Sequence, residues 1–344
     1  MKSGDTSSLG GSLWKNLLKS RNLRRWLPGM LVSIIALVVL FRLANFKELS
    51  VALTSTNLLA LAMAVVLTVI SLGTRAQAWR VLLDWKTTFR KSFFIINEGY
   101  LLNNLFPLRA GEVARALFMG QASGLGTLHV LSTIVLERAF DLAMAAGLIL
   151  ATLPMALGVD WAKPVAAITL VLVIIGLSIL YLIARYNQWV IHQVSHFGER
   201  WPIVNRLVIP WLNSLLNGLG VLTRPSQFFL SLFWILVSWA IWVSTHFIML
   251  RSIASQAPFW WAAFVDGLLA LGVAIPSAPA ALGLFEGALV GALSILGISN
   301  STALAYAIVL HFVQFFTTAI FGLIGLSREG QSIESLAHEM EARV

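Results

Sequence analysis

Apolar residues along this chain come in runs long enough to cross a bilayer. A helix needs about 20 apolar residues to span the hydrocarbon core. Six runs reach that length: 27–46, 56–76, 127–154, 163–184, 227–250 and 302–326. Two further runs are broken. The run 92–120 is cut at Pro107 and Gly111, and the run 258–297 is cut by Pro276-Ser277-Ala278-Pro279. Each half is too short to cross comfortably. Proline removes a helix donor and clashes with the preceding turn. A broken helix at membrane depth is tolerated only when it is buried in protein or lines a wet cavity. The pattern predicts an all-α polytopic membrane protein with six transmembrane helices and two re-entrant, broken helical hairpins. An ordinary eight-span bundle, with 258–275 and 279–297 both crossing and 92–120 folded differently, fits the same pattern.

Basic residues orient this arrangement. With the N-terminus inside, 17 of the 24 Lys and Arg fall on the inner side, as the positive-inside rule expects. Arg42, Lys47, Lys163 and Arg251 fall outside, and Arg109, Arg115 and Arg138 are left at depth. The transmembrane region, 27–326, then divides into two possible inverted repeats, 27–154 and 163–326, each with a broken segment near its centre, a common transporter layout. Both broken segments place Pro, then Gly, then Glu, at similar but unequal spacing. The loop 185–225 carries Trp189, Trp201 and Trp211, and Leu212, Leu215, Leu216, Leu219 and Leu222 recur at three and four residues. That spacing predicts an interfacial amphipathic helix with a tryptophan belt. Residues 327–344 form a short polar tail, expected to be cytoplasmic like the N-terminus.

Composition narrows the class. The chain is 58% hydrophobic and only 11% charged, against about 25% charged in soluble domains. It has no cysteine, which excludes disulfide and thiol chemistry. The net charge of +9 does not point to nucleic acid, because a net +5 of it lies in residues 1–26, directly before the first run. In this arm Leu13, Trp14, Leu17 and Leu18 recur at helical spacing among basic residues. It reads as a topology anchor or as a segment lying on the anionic cytoplasmic leaflet. The apolar stretch 27–41 lacks a small-residue cleavage site, so an uncleaved first span is expected.

The candidate chemistry lies where charge interrupts the apolar runs. Arg109, Glu112 and Arg115 are three apart, and on a helix beginning near Gly111 they share one face. A half-helix N-terminus at Gly111 would offer backbone N–H groups to an anion, and Arg109 would add a fork suited to phosphate. The plainer reading is that Arg109 and Arg115 neutralise Glu112 and Glu137 or Asp141. Thr133, Glu137 and Asp141 lie on one stripe of the third span, with Arg138 beside it. Two carboxylates four apart repel unless a cation lies between them; Arg109 or Arg115 is the expected partner, or one carboxylate holds a proton. In the second broken segment Gly283, Gly287 and Gly291 form a small-residue stripe read as helix packing. Glu286 is a lone acid there, with Asp266 also at depth. His192 and His196 have metal-like spacing without an acidic companion, and His246 and His311 are single histidines in apolar spans. No metal or cofactor is expected. A phosphate-cradling Gly-rich loop with Lys-Ser/Thr is missing, so ATP hydrolysis by this chain is not expected.

These motifs together resemble the lysylphosphatidylglycerol synthase transmembrane-region family, often labelled flippase-like. The resemblance rests on Arg75-Ala76-Gln77-Ala78-Trp79-Arg80, Asn103-Asn104, Pro107-x-Arg109-x-Gly111-Glu112-x-x-Arg115, Glu137-Arg138-x-x-Asp141 and Pro276-Ser277-x-Pro279-x-x-x-Gly283-x-x-Glu286. It covers nearly the whole chain in order. It implies a multi-pass protein of a bacterial or archaeal inner membrane with a lipid-handling role. In the multiple peptide resistance factor the similar region moves aminoacylated phosphatidylglycerol between leaflets and is followed by a soluble aminoacyltransferase domain. This chain ends at Val344 without room for that domain, so the transferase activity is not expected. Ala280-Ala281 stand where the family often has glycine, which would stiffen the second break.

The expectation is a translocator of an anionic or aminoacylated phospholipid, or of a lipid-linked headgroup. Asn103, Asn104, Arg109, Gly111, Glu112, Arg115, Glu137, Arg138, Asp141 and Glu286 would form its substrate site. The alternatives are an intramembrane headgroup transferase using Glu112 or Asp141 as general base, a non-catalytic scaffold of a cell-envelope pathway, and an ion or small-solute transporter. Membrane phospholipids are the expected partners.

Overall fold

The computed structural model describes residues 38, 42, 46–54, 57–106, 109–158, 162–198, 208–275 and 277–328. The basic arm 1–26, nearly all of the expected first span and the tail beyond 328 lie outside the described residues. Among the described residues the fold is all-α, as the hydropathy pattern predicts. A short helix α1 (Phe46–Thr54) precedes α2 (Leu58–Leu82), whose first turn is capped by Asn57 through its side-chain oxygen. Then come α3 (Phe89–Leu105), capped by Thr88, α4 (Ala110–Ser123) and α5 (Thr127–Leu157). After α6 (Ala162–Arg185) the axis bends by 76° into α7 (Asn187–Gly198). Next, α8 (Ile209–Gly218) runs into a 3₁₀ turn, Leu219–Thr223. The chain ends its described part with α9 (Pro225–Ile253), α10 (Phe259–Ala274), α11 (Leu284–Ile295) and α12 (Asn300–Arg328). By length and composition α2, α5, α9 and α12 can each cross a membrane.

Both broken runs are helical hairpins. In the first, Gly111 of α4 sits on the Gly99 carbonyl of α3 so closely that a Cβ would overlap that oxygen, and Arg115 crosses over Gly99. In the second, Gly272 of α10 meets Ala288 of α11. The predicted small-residue stripe is not a close-approach surface: a Cβ at Gly287 or Gly291 would meet nothing within 4 Å. Gly283 instead turns the chain into α11 with φ of 84°. The close approaches fall at glycines without such periodicity, such as Gly322 of α12 against the Asn97 carbonyl and Gly267 of α10 against Ile149.

The helices repeat an order: a long helix, a hairpin, a long helix. Their packing is reciprocal. α2 packs on α9, the hairpin arm α3 packs on α12, and the corresponding arm α10 packs on α5. Each half thus lends its hairpin to the last helix of the other. Two buried apolar clusters hold the helices together, one around Trp79, Ile95, Leu102, Met119 and Leu136, the other around Val243, Phe264, Leu289 and Leu310.

The segment read as interfacial does carry an apolar stripe, but that stripe packs on protein. Leu216, Leu219 and Leu222 are buried in the first cluster, and Gly218 lies against Ser132 of α5. Trp189 and Trp211 remain exposed; Trp201 lies outside the described residues.

Candidate functional site

The two hairpin tips meet. Arg109, the residue before α4, has φ of 57°, a left-handed backbone rarely adopted by side chains other than glycine. From there its guanidinium reaches two ways. Nη1 donates to Glu112 Oε1 at 3.2 Å, and Nη2 donates to the Val273 carbonyl near the end of α10. A cation there complements the unpaired carbonyls of a helix C-terminus. At the opposite tip Ala280 and Ala281 have φ of 57° and 53°, so the positions singled out as glycine-like do take left-handed backbone.

Between the tips and the long helices lies a cavity of about 360 Å³. Asn103, Asn104, Arg109, Glu112, Arg138 and Asp141 line it, together with Arg75. Side chains of the second half, among them Asp266, Phe285, His311 and Gln314, close its other wall.

The charges of the wall that Arg109 lines form one connected cluster with Arg115 and Glu137. Arg75 holds Asp141 through a two-pronged contact, Nη1 and Nη2 each 2.6 Å from a carboxylate oxygen. Its Nε lies 3.4 Å from Glu137. Arg115 donates to Glu137 at 2.9 Å and stacks over the Trp79 ring at 4.3 Å. Arg138 links Glu137 (3.3 Å), Asp141 (3.4 Å) and Glu112 (3.6 Å). Trp239 adds an indole N–H to Asp141 at 3.1 Å. Four arginines face three carboxylates here, so the cluster carries one excess positive charge when all are ionised.

Several expected residues take other parts. Asp141 is paired by Arg75 rather than by Arg109 or Arg115, and Arg75, counted with the cytoplasmic flank from sequence, stands within α2 at the cavity wall. Sequence distance hid this contact: the pair is 66 residues apart. One signal for it was available, because Ala78, Trp79 and Leu82 continue a buried helical face past Arg75. The Gly111 N–H, expected to face an anion, is given to the Asn103 side chain at 2.8 Å. Asn104 donates to Thr318 at 3.2 Å and so ties α3 to α12. Glu286 is not on the cavity wall. It accepts the Gly283 N–H at 2.7 Å and lies 2.6 Å from His311 Nδ1, and His311 does reach the cavity.

The two hairpins place their acids and bases at matching positions. Glu112 and Glu286 are each the third residue of the second hairpin arm, α4 and α11. Their basic partners, Arg138 and His311, are each the twelfth residue of the following helix, α5 and α12. A carboxylate in a first helical turn also faces the positive end of the helix dipole. Among the described residues no group of three or more His, Cys, Asp and Glu is placed to hold a metal ion.

A helical membrane protein that folds two hairpins tip to tip over a buried arginine–carboxylate cluster is the class these features define. Residues 26–322 match the family described as Lysylphosphatidylglycerol synthase TM region, and the chain belongs to that family. Two relatives from Methanothermobacter thermautotrophicus, each named UPF0104 membrane protein, are similar over most of their length. One is 27% identical over 269 residues, covering 74% of this chain and 78% of the relative. The other is 24% identical over 315 residues, covering 85% of this chain and 90% of the relative. No solved structure matches.

Proposed function

We propose that the protein moves an anionic or aminoacylated phospholipid, or a lipid-linked headgroup, between the leaflets of a bacterial or archaeal plasma membrane by alternating access. The observation that carries this reading is Arg109, which joins the two hairpin tips at the wall of a charged cavity. Its side chain keeps 27% of its surface open, and the Val273 carbonyl it holds is a neutral acceptor. A lipid phosphate is a stronger, charged acceptor with geometry suited to the same fork. Phosphate binding would therefore loosen the tie between the tips while adding a ligand that holds Arg109. The single excess positive charge suits one phosphodiester.

Helix length supports re-entry. The arms α10 and α11 have 16 and 12 residues, roughly 24 and 18 Å at 1.5 Å per residue, short of a hydrocarbon core about 30 Å thick. On this reading both hairpins stop near mid-membrane, and the reciprocal packing lets them rock with the opposite long helix. The family's name adds the lipid context. The test is headgroup exposure of fluorescent phosphatidylglycerol in proteoliposomes. Arg109→Ala should lower the rate about tenfold or more, the effect of losing a charged hydrogen bond; equal rates for wild type and variant would count against the reading.

A non-catalytic scaffold is the second reading, favoured by the direct pairing of Arg75 with Asp141 and of Arg115 with Glu137. It predicts that the exchanged pair Arg109→Glu with Glu112→Arg keeps full function, whereas a phosphate site would be lost.

A further inference from the structure

One acid on the cavity wall stands outside the arginine cluster. Asp266, on α10, is 1% exposed and lines the chamber. Its Oδ2 accepts no hydrogen bond from any described residue. Its Oδ1 lies 3.6 Å from His246 Nε2, past ordinary hydrogen-bond reach. His246 of α9 is itself buried and tethered at Nδ1 to the Tyr306 hydroxyl of α12 at 2.7 Å.

The groups around Asp266 do not neutralise it. On α5, Arg138 and Asp141 are paired with each other, and Arg75 of α2 gives its fork to Asp141. Arg109 serves Glu112 and the Val273 carbonyl, and on α11 Glu286 is held by His311 and the Gly283 N–H. No Lys or Arg among the described residues forms an ion pair with Asp266. An ionised carboxyl left so in a membrane interior costs several kcal/mol. A hard metal cation would need about six oxygen ligands, while among the described residues Asp266 has one imidazole beside it and belongs to no group of three or more His, Cys, Asp and Glu that could hold a metal ion. A proton needs only the unpartnered oxygen.

We propose that Asp266, beside the His246–Tyr306 pair, is a reversible proton-binding site of the chamber, and that its proton occupancy is linked to anion occupancy at Arg109. This deepens the lipid reading and rests on it for the identity of the anion. The proton comes from chamber water and returns to chamber water; no other bond is made or broken. An anion entering the chamber disfavours a second negative charge nearby. Anion binding therefore draws a proton onto Asp266, and by reciprocity a protonated Asp266 tightens anion binding. The pair would then move through the membrane with less net charge than the anion alone.

The test uses the full chain, purified in detergent, with dihexanoyl phosphatidylglycerol as the probe. In weakly buffered solution a pH dye follows proton uptake as the lipid binds, and infrared spectra follow the carbonyl stretch of a protonated carboxylic acid. Wild type is expected to take up as much as one proton per bound lipid. Asp266→Asn, close to the neutral acid in shape, is expected to bind the lipid, take up no proton and lack the wild-type carboxylic-acid band. Asp266→Glu restores both signals. Lipid binding by wild type without uptake, or uptake by Asp266→Asn equal to wild type, overturns the proposal. So does a requirement for sodium that choline cannot replace, which would make the site one for a metal cation. If neither protein binds the lipid, the translocation reading fails; the infrared band, recorded without lipid, still decides the proton site. A band that Asp266→Asn leaves unchanged, or none in wild type at any pH, overturns it.

Discussion

Arg109 and Arg115 belong to the same hairpin and have opposite surroundings. Arg115 is 1% exposed, paired with Glu137 and stacked on Trp79. Arg115→Ala strips a buried carboxylate of its closest partner and should cost about 3–5 kcal/mol, read from denaturant unfolding in detergent. Arg109 keeps 27% of its side-chain surface open at the cavity, so Arg109→Ala should cost less than Arg115→Ala in the same measurement, while its translocation rate falls. The sequence spacing put Arg109 beside Glu112 correctly, since three residues is one helical turn and the contact is local. It could not assign Arg75 to Asp141, because that pairing depends on how α2 crosses α5. Asp266 and His311 were equally opaque: each looks like an isolated polar residue in an apolar run until the opposite half of the molecule is beside it.

Proline and glycine made the hairpins readable as elements, because each breaks a helix by its own backbone chemistry. Their tips were less readable. Ala280 and Ala281 hold left-handed backbone that costs an ordinary residue about 1–2 kcal/mol. Ala280→Gly and Ala281→Gly should each raise stability by about 1 kcal/mol, seen as a higher thermal midpoint in detergent; a lower midpoint would mean that the methyl groups contribute packing. The start of α9 is fastened to the end of α2 in a similar local way. Arg224 donates to Asp84 at 2.9 Å, and Gln227 donates to its other oxygen. The Arg224 hydrogen bond, helped by Gln227, holds the Asp84 carboxyl below its ordinary range. Its contribution to stability is therefore complete above the unfolded value of about 3.9 and disappears as pH falls through the lower folded value. Asp84→Asn should flatten that acid limb of an unfolding-midpoint titration. The contact is solvent-exposed, so the change is small and weakens with salt.

At the scale of the whole molecule, the exchange of hairpins between halves decides which helices move together. Gly322 of α12 lies so close to the Asn97 carbonyl that a Cβ would sit 2.7 Å from it. Gly322→Leu should force α12 from α3, and hydrogen exchange should rise in α3 more than in α10, although α10 is nearer to α12 in sequence. Equal rises would mean that each half behaves as its own unit. The two broken runs were visible in the sequence; the reciprocity of their packing was not, because periodicity within a run says nothing about its neighbours. That reciprocity also sets a schedule for biosynthesis. The ribosome makes α3 about 200 residues before α12, a delay of roughly 10–40 s at ordinary elongation rates. Through that interval the flank of α3 bearing Asn97, Leu101 and Asn104 has no permanent neighbour. A nascent chain halted before α12 would present that flank to the insertion machinery, and α12, on leaving the ribosome, would be the helix that displaces it.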